Sequence, residues 1–183
     1  MAKMVEKKLI VEPKRTNKGS WPRKKVSGYE AFFSKNATKA GIGKMIVCGS
    51  YRRGCGVCGD MDIVVIPEEG GIEKLLTFLE ENKFNILISG SKRVRAVSED
   101  GFQIDFVFTT EESFGAAALY LTGSAQFNMN IRNNAKRMGM LLNEYGLFNK
   151  DERIASDEKG ILERLGLSIY FNPSARSIGG HSR

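Results

Sequence analysis

The sequence predicts an α+β fold, in which a mixed β-sheet with flanking helices is followed by a small helical unit. Strand-like and amphipathic helical segments alternate up to about residue 110, and Ala-rich and polar helical sequence dominates after it. With 183 residues and 42% hydrophobic side chains, the chain has the size of one domain with a small satellite. We therefore expect a basic arm at residues 1–27, a sheet unit at 28–111 and a helical unit at 112–183.

The sheet unit is expected to contain two helices and five strands. Residues 61–66 are rich in β-branched side chains, which is typical of a buried strand. Residues 72–81 place their apolar side chains on one side, as an amphipathic helix does. Four glycines within residues 49–59 indicate a loop with room for one helical turn. The remaining expected elements are a helix at 28–40 and strands at 45–48, 84–88, 93–97 and 103–108.

The helical unit is expected to contain three helices and a short strand-like region. Helices are predicted at residues 112–121 and 125–137, because Gly123 separates an Ala-rich segment from a polar one. Residues 140–148 have strand-like sequence. A last helix is predicted at residues 157–165.

Positive charge is concentrated at the start of the chain. The net charge is +7, from 28 Lys and Arg against 21 Asp and Glu. Residues 1–25 hold nine basic and two acidic side chains, so the other 158 residues balance at nineteen against nineteen. A basic arm of this kind suits a polyanion such as nucleic acid. The alternative is a solvated tail that only aids solubility.

Apolar runs and cysteines limit the class of protein. No apolar run is long enough to span a bilayer, and none follows the charged start as in a signal peptide. We expect an intracellular, soluble monomer with no membrane contact. Three cysteines agree with a reducing compartment. Cys55 and Cys58 form a CxxC, but the only histidine is His181 and no second CxxC exists, so a zinc site cannot be completed. A disulfide between them stays an alternative.

Three aspartates form a candidate metal site. Asp60 and Asp62 flank one apolar residue at the start of a strand, so their side chains share a face about 7 Å apart. Asp105 lies between two apolar residues of another predicted strand. If these strands are adjacent, the three carboxylates converge, and such a set suits Mg²⁺ and phosphoryl transfer. The alternative for Asp60 and Asp62 alone is a solvated strand end.

The segment GSYRRGCGVCGD directly precedes these carboxylates and predicts a phosphate-binding loop. It combines backbone N–H groups, the Ser50 hydroxyl and the guanidinium groups of Arg52 and Arg53. Glycines let backbone approach a phosphate closely, and Arg binds phosphate with two hydrogen bonds.

Three motifs in order resemble the family X DNA polymerases, the group that includes DNA polymerase beta. They are GSYRRG with GDMD, then SFGAAALYLTGSAQFN, then LLNEYGLF, and the resemblance spans about residues 45–172. It implies a polymerase-beta-like nucleotidyltransferase palm and a nucleotide-selecting C-terminal subdomain. The implied activity is addition of dNTP-derived nucleotides to a DNA primer-template with two Mg²⁺ ions, Mn²⁺ being able to substitute, in short-gap repair. Alternatives are a template-independent or RNA-directed nucleotidyltransferase, or an inactive DNA-binding module.

The resemblance also implies a role for individual residues. Metal binding falls to Asp60, Asp62 and Asp105, of which Asp105 is also the proton acceptor near the primer 3′-hydroxyl. DNA contact falls to Arg132 on the template strand, together with Lys136 and Arg137. Nucleotide binding falls to Gly49, Ser50, Arg53 and Gly59 at the phosphates, Tyr120 and Gly123 at the sugar, and Asn128 at the base edge.

Some positions depart from the family pattern. Gln103 and Val107 replace arginines on either side of the third aspartate, Leu121 replaces a phenylalanine and Ala125 an aspartate. Val107 removes the partner that Glu144 and Tyr145 would have on domain closure. Only about 45 residues precede the palm, so we expect no lyase activity.

Overall fold

The computed structural model describes residues 19–177, so most of the predicted basic arm and His181 lie outside the described residues. In chain order the first part contains β1 (Trp21–Pro22), α1 (Arg23–Lys35), β2 (Ile42–Val47), α2 (Gly49–Arg52), β3 (Val57–Cys58), β4 (Met61–Pro67), α3 (Gly71–Glu81), β5 (Asn85–Ser89), β6 (Arg93–Val97) and β7 (Gln103–Phe108). We call it the sheet unit.

The predicted helix at 28–40 is wrong at both ends. Helix α1 begins at Arg23, directly after Pro22 in extended backbone, because the basic residues of the predicted arm form its first turn while Val26 is buried. It ends at Lys35, where the Asn36 amide donates to the Phe32 carbonyl at 2.8 Å and satisfies a helix-end acceptor. The end of the predicted arm is therefore part of the fold.

Five strands of the sheet unit form one mixed sheet in the order β2-β4-β7-β6-β5. Only β4 and β7 run parallel to each other. Along β4, Met61, Ile63 and Val65 enter the main core with α1 and α3. Val64 points to the opposite face, against Ala117 of the helical unit. Since side chains alternate along a strand, Asp62 shares this second face with Val64.

The helical unit follows Phe108 and a 3₁₀ turn, Glu111–Ser113, which replaces the first turn of the helix predicted at 112–121. Its core is apolar and includes Leu119, Phe127, Ile131 and Leu162. The Ser124 hydroxyl caps α5 by accepting from the Phe127 N–H at 3.3 Å. The elements are α4 (Phe114–Thr122), α5 (Ala125–Arg137), β8 (Met140–Asn143), β9 (Gly146–Asn149), β10 (Glu152–Ala155) and α6 (Glu158–Arg164).

The strand-like region at 140–148 is a hairpin of β8 and β9, and β10 completes a three-stranded antiparallel sheet with them. Strand β10 was not predicted, because its first two residues are charged and exposed and it lacks an apolar alternation. Within residues 19–177, no helix has the length and apolar character needed to cross a membrane.

Candidate active site

The strand register brings two of the predicted metal ligands together. Asp62 on β4 is the direct partner of Asp105 on the parallel strand β7. Asp60 precedes Asp62 by two residues and lies just before β4 begins. Asp105 is only 4% exposed, which is unusual for a carboxylate. The two strands are adjacent, which is the condition on which convergence of the carboxylates depended.

Arg95, which the sequence did not single out, binds the buried carboxylate from the next strand. It is the direct partner of Asp105 across β6 and β7. Its Nε donates to Asp105 Oδ1 at 2.7 Å and its Nη2 donates to Oδ2 at 3.1 Å. The Gln103 amide donates to the same Oδ2 at 3.0 Å. Opposite charges on directly paired residues of neighbouring strands would have indicated this contact. That pairing can be recognised only when the register of β6 against β7 is known.

The guanidinium of Arg95 acts as a cation among the three carboxylates. Its pKa is raised first by the hydrogen bond with Asp105, then by the charges of Asp105, Asp60 and Asp62, against the opposing effect of burial. As these side chains stand, no three His, Cys, Asp or Glu residues in the described chain are grouped to hold a metal ion. The donor set nevertheless fits a divalent cation, because it offers carboxylate oxygens around a position that already attracts positive charge.

The glycine-rich loop packs against Asp62. The Cys48 N–H donates to the Asp62 carbonyl at 2.7 Å, and the predicted helical turn is present as α2. Gly49 begins that turn at φ +61°, and a Cβ built on it would lie 2.8 Å from Asp62 Oδ2. Only glycine therefore combines this backbone conformation with this approach to the carboxylate. Ser50 is half-buried in α2, and Gly59 directly precedes Asp60.

The first described residues contact the C-terminal part of the glycine-rich loop. Strand β1 pairs with β3, and the Arg23 N–H donates to the Gly56 carbonyl at 2.8 Å. The Arg23 guanidinium lies 4.1 Å from the centre of the Tyr51 ring. The Tyr51 hydroxyl donates to Glu30 at 2.6 Å, and this hydrogen bond raises its pKa. The loop is thus braced by the helix that precedes it in the chain.

All three cysteines are free thiols in the structure. Burial raises the pKa of the Cys48 thiol to about 12, so it stays protonated at neutral pH. Cys58 is buried in β3 and Cys55 is half-buried. The alternative, a disulfide between Cys55 and Cys58, is not formed in the structure.

Arg52 faces the helical unit, which corrects the expectation that its guanidinium meets phosphates. It donates to both carboxylate oxygens of Glu158 at 2.7 and 2.6 Å and to the Thr122 hydroxyl at 2.9 Å. Arg176, only 1% exposed, donates to Glu158 at 2.9 Å. Burial would raise the pKa of Glu158, but the hydrogen bonds and charges of Arg52, then Arg176, hold it below its usual value. The guanidinium of Arg52 is therefore engaged by a bidentate pair with a carboxylate of the helical unit.

Arg53 lies at the junction with the helical unit. Its Nη1 donates to the Thr122 carbonyl at 2.5 Å and would be 3.4 Å from a Cβ built on Gly123. Its Nε is buried without a hydrogen-bond partner among the described residues. A buried unpaired N–H is costly, and an anionic oxygen would satisfy it.

The residues expected at the sugar and base lie around the turn between α4 and α5. The Asn128 amide donates to the Tyr120 carbonyl at 2.6 Å, while its Oδ1 is buried without a partner in the described chain. Tyr120 itself is 42% exposed. Arg132 and Lys136 follow Asn128 at four-residue spacing, so they form one exposed stripe on α5, and Arg137 is exposed beside it.

A cleft of about 290 Å³ separates the two units next to Tyr120. Val107 lies in it, and its register partner across the strands is Arg93. On the other side, the Lys92 Nζ is 3.4 Å from the Tyr145 hydroxyl. Arg93 on β6 thus supplies a positive charge directly beside Val107, an apolar residue of β7.

Comparisons with known proteins match both units. The DNA polymerase beta palm model matches residues 20–142, and the DNA polymerase beta thumb model matches residues 117–177. DNA polymerase lambda of Rattus norvegicus is 29% identical over 145 residues, which are 69% of this chain and 25% of the relative, so the chain spans about a quarter of that protein. Repair DNA polymerase X of African swine fever virus is 26% identical over 141 residues, 72% of this chain and 80% of the relative.

Among solved structures, the ternary gap complex of Leishmania infantum polymerase beta superimposes with a TM-score of 0.79. The sequence identity is 22%, and the match covers 87% of this chain and 71% of that one. This likeness shows the fold and confirms the predicted α+β class.

Proposed function

Because the chain belongs to the family X DNA polymerases, we propose that it is a template-dependent DNA polymerase. It adds a deoxynucleotide from a dNTP to the 3′-hydroxyl of a primer and releases pyrophosphate. One observation carries the proposal: Asp62 and Asp105 are partners on adjacent parallel strands, and the glycine-rich loop packs against Asp62. Nucleotidyl transfer needs such carboxylates beside a site for the triphosphate.

The carboxylates have distinct tasks in this proposal. Asp60, Asp62 and Asp105 hold two Mg²⁺ ions, and Mn²⁺ shares the preference for oxygen ligands. When bound, these ions activate the primer hydroxyl and stabilise the charge on the leaving pyrophosphate. Asp105 accepts the proton of the primer hydroxyl, which its burial beside the carboxylate of Asp62 supports.

The glycine-rich loop binds the triphosphate. Arg53, Ser50 and the backbone amides of Gly49 and Gly59 hold the β- and γ-phosphates. The unpaired, buried Nε of Arg53 supports an anionic ligand at this position. Since Arg52 is bound to Glu158, the proposal rests on one arginine for the phosphates rather than two.

The helical unit selects the nucleotide and contacts DNA. Tyr120 and Gly123 line the sugar, and the unpaired Oδ1 of Asn128 supports a hydrogen bond with a group that approaches α5. The exposed stripe of Arg132 and Lys136, with Arg137, suits the phosphates of a DNA backbone.

We assign short-gap filling in DNA repair as the setting of this activity. The viral relative is named a repair polymerase, and the Leishmania structure is described as a gap complex. Both names support this setting for the present chain. We further propose that the chain acts as a monomer inside the cell.

Primer extension tests the proposal directly. The full chain is assayed with Mg²⁺ or Mn²⁺ on recessed and single-nucleotide-gapped duplexes and on a primer without template, each with dNTP or NTP. We expect extension only with template, fastest on the gap. The matched variants are Asp105→Asn, which should abolish extension, and Asp100→Asn, an exposed carboxylate of the turn before β7, which should not. Equal extension without template would instead establish a template-independent transferase, and no extension with either metal would refute the proposal.

A further inference from the structure

The buried carboxylate of Asp105 accepts hydrogen bonds from the neighbouring strand β6 and from Gln103 of its own strand. Arg95 binds both oxygens, and Gln103 adds a second hydrogen bond to Oδ2. An ionised carboxylate at 5% side-chain exposure needs such compensation, because leaving a buried charge unpaired is costly. Arg95 therefore supplies the hydrogen bonds and the opposite charge that this buried carboxylate requires.

The two partners differ in their freedom to move. The side chain of Arg95 is 30% exposed, against 5% for Asp105. An arginine side chain has several rotatable bonds and an aspartate only two, so the guanidinium is the partner that can withdraw toward solvent. The charges of Asp60 and Asp62 also act on this guanidinium, more weakly than its hydrogen bond with Asp105 does.

We propose that Arg95 is a positioning residue of the metal site: its guanidinium occupies both oxygens of Asp105 and offsets part of the negative charge of the three carboxylates before a divalent ion binds, and it releases Asp105 when the ion enters. The inference rests on the proposed function, since it takes Asp60, Asp62 and Asp105 as the metal ligands. Arg95 competes with the ion for the same oxygens and repels it by charge. The enzyme without nucleotide therefore binds divalent ions weakly, and the triphosphate supplies the remaining attraction.

Binding of Mn²⁺ to the full chain, without nucleotide or DNA, tests this competition. Free Mn²⁺ is measured by electron paramagnetic resonance for the wild type, Arg95→Met and Arg95→Lys. We expect Arg95→Met to bind Mn²⁺ on the order of tenfold more tightly, because a competing charge next to the site is removed. Arg95→Lys should stay within about threefold of the wild type, because the charge is kept although the paired hydrogen bonds are lost.

Arg93→Met is the matched control. Arg93 lies two residues earlier on β6, on the same face, and its register partner is Val107 rather than a carboxylate. The variant removes the same charge but leaves the Asp105 contact, so Mn²⁺ binding should change less than twofold. The double variant Arg95→Met with Asp105→Asn should lose the gained binding, which assigns it to this site.

The outcomes separate this inference from the proposed function. Unchanged or weaker Mn²⁺ binding in Arg95→Met overturns the inference, as does equal tightening in Arg93→Met or absence of Mn²⁺ binding in every variant. If Arg95→Met does not fold, as judged by circular dichroism, Arg95→Gln takes its place with the same expectation. A wild type that extends no primer refutes the proposed function even if Arg95→Met binds Mn²⁺ more tightly, whereas normal extension with unaltered Mn²⁺ affinity refutes only the role of Arg95.

Discussion

The sheet unit and the helical unit hold their functional residues in different ways. Asp62, Asp105 and Arg95 are neighbours across three hydrogen-bonded strands, so backbone pairing fixes their positions. Tyr120 and Asn128 are held to each other across the α4–α5 turn, and this turn meets the sheet unit through side-chain contacts from the loop arginines. The geometry of Asp62 and Asp105 is therefore a property of one sheet, whereas the placement of Tyr120 and Asn128 relative to them depends on side-chain contacts between the two units.

The largest expected effect comes from the sheet unit. Asp62→Asn keeps the shape of the side chain but removes its charge, so primer extension should fall on the order of a thousandfold. Single-turnover extension on a gapped duplex measures it, and circular dichroism confirms that the variant is folded. An activity within tenfold of the wild type would mean that the strand pair is not the catalytic centre.

Gly49→Ala tests the approach of the loop to the carboxylate. The new methyl group would lie 2.8 Å from Asp62 Oδ2, so we expect extension to drop roughly a hundredfold, as small displacements of reacting groups do. Gly54→Ala is the control, because it has the same left-handed strain, at φ +85°, but nothing within 4 Å. Gly54→Ala should lose about 1–2 kcal/mol of stability from the left-handed backbone alone, and Gly49→Ala should lose more because of the added clash. Equal activity in the two variants would rule out the clash as the cause.

Glu158→Gln tests the junction. It leaves the cations of Arg52 and Arg176 without their partner, and we expect a loss of about 2 kcal/mol in the free energy of unfolding, reduced from a fully buried pair by partial exposure. Glu163→Gln, which breaks an exposed pair with Lys159, should cost under about 0.5 kcal/mol. Urea unfolding at pH 7 measures both.

The same junction predicts a pH dependence. The pKa of Glu158 is lowered in the folded protein, so its stabilisation is fully present above the unfolded pKa of about 4.3 and is lost as the pH falls through the folded value. The difference between the wild type and Glu158→Gln should therefore shrink in urea titrations below about pH 4. A difference that does not shrink as the pH falls below about 4 would contradict the assignment.

The smallest effect is expected on the exposed stripe of α5. Arg132→Ala should weaken binding of gapped DNA about three- to tenfold and lower the slope of log affinity against log salt by about 1. Fluorescence anisotropy over a salt series measures both quantities. Arg164→Ala, exposed on α6, removes an equal charge away from the stripe and should leave the slope unchanged.

Local pattern was enough for the parts of the site that depend on one segment. The buried strand β4 and the helix α3 match their predictions within one residue, because apolar periodicity and β-branched content are strong signals. The glycine-rich loop and its single helical turn also match. The roles given to individual loop residues stay predictions.

Features that depend on pairing between distant segments could not be predicted. The bond from Arg95 to Asp105 requires the register of β6 against β7. The charge of Arg52 suggested a phosphate ligand. Its guanidinium is instead bound to Glu158, which lies 106 residues later in the other unit. The predicted start of α1 is too late, because Arg23 and its basic neighbours have the composition of a charged arm. In the structure they form the first helical turn, and Val26 forms its buried side.

Arg52 occupies the same helical turn as Ser50, and it is bound to a carboxylate of α6. A rotation of the helical unit that keeps this ion pair intact would carry the loop with it, and the free energies of the two movements would then be coupled. Thermodynamic reciprocity then applies: if duplex DNA on α5 raises the affinity for a nucleotide by some factor, the nucleotide raises the affinity for DNA by the same factor. Breaking the ion pair between Arg52 and Glu158 should reduce both fold-changes in affinity, that for the nucleotide and that for DNA, toward one by the same amount.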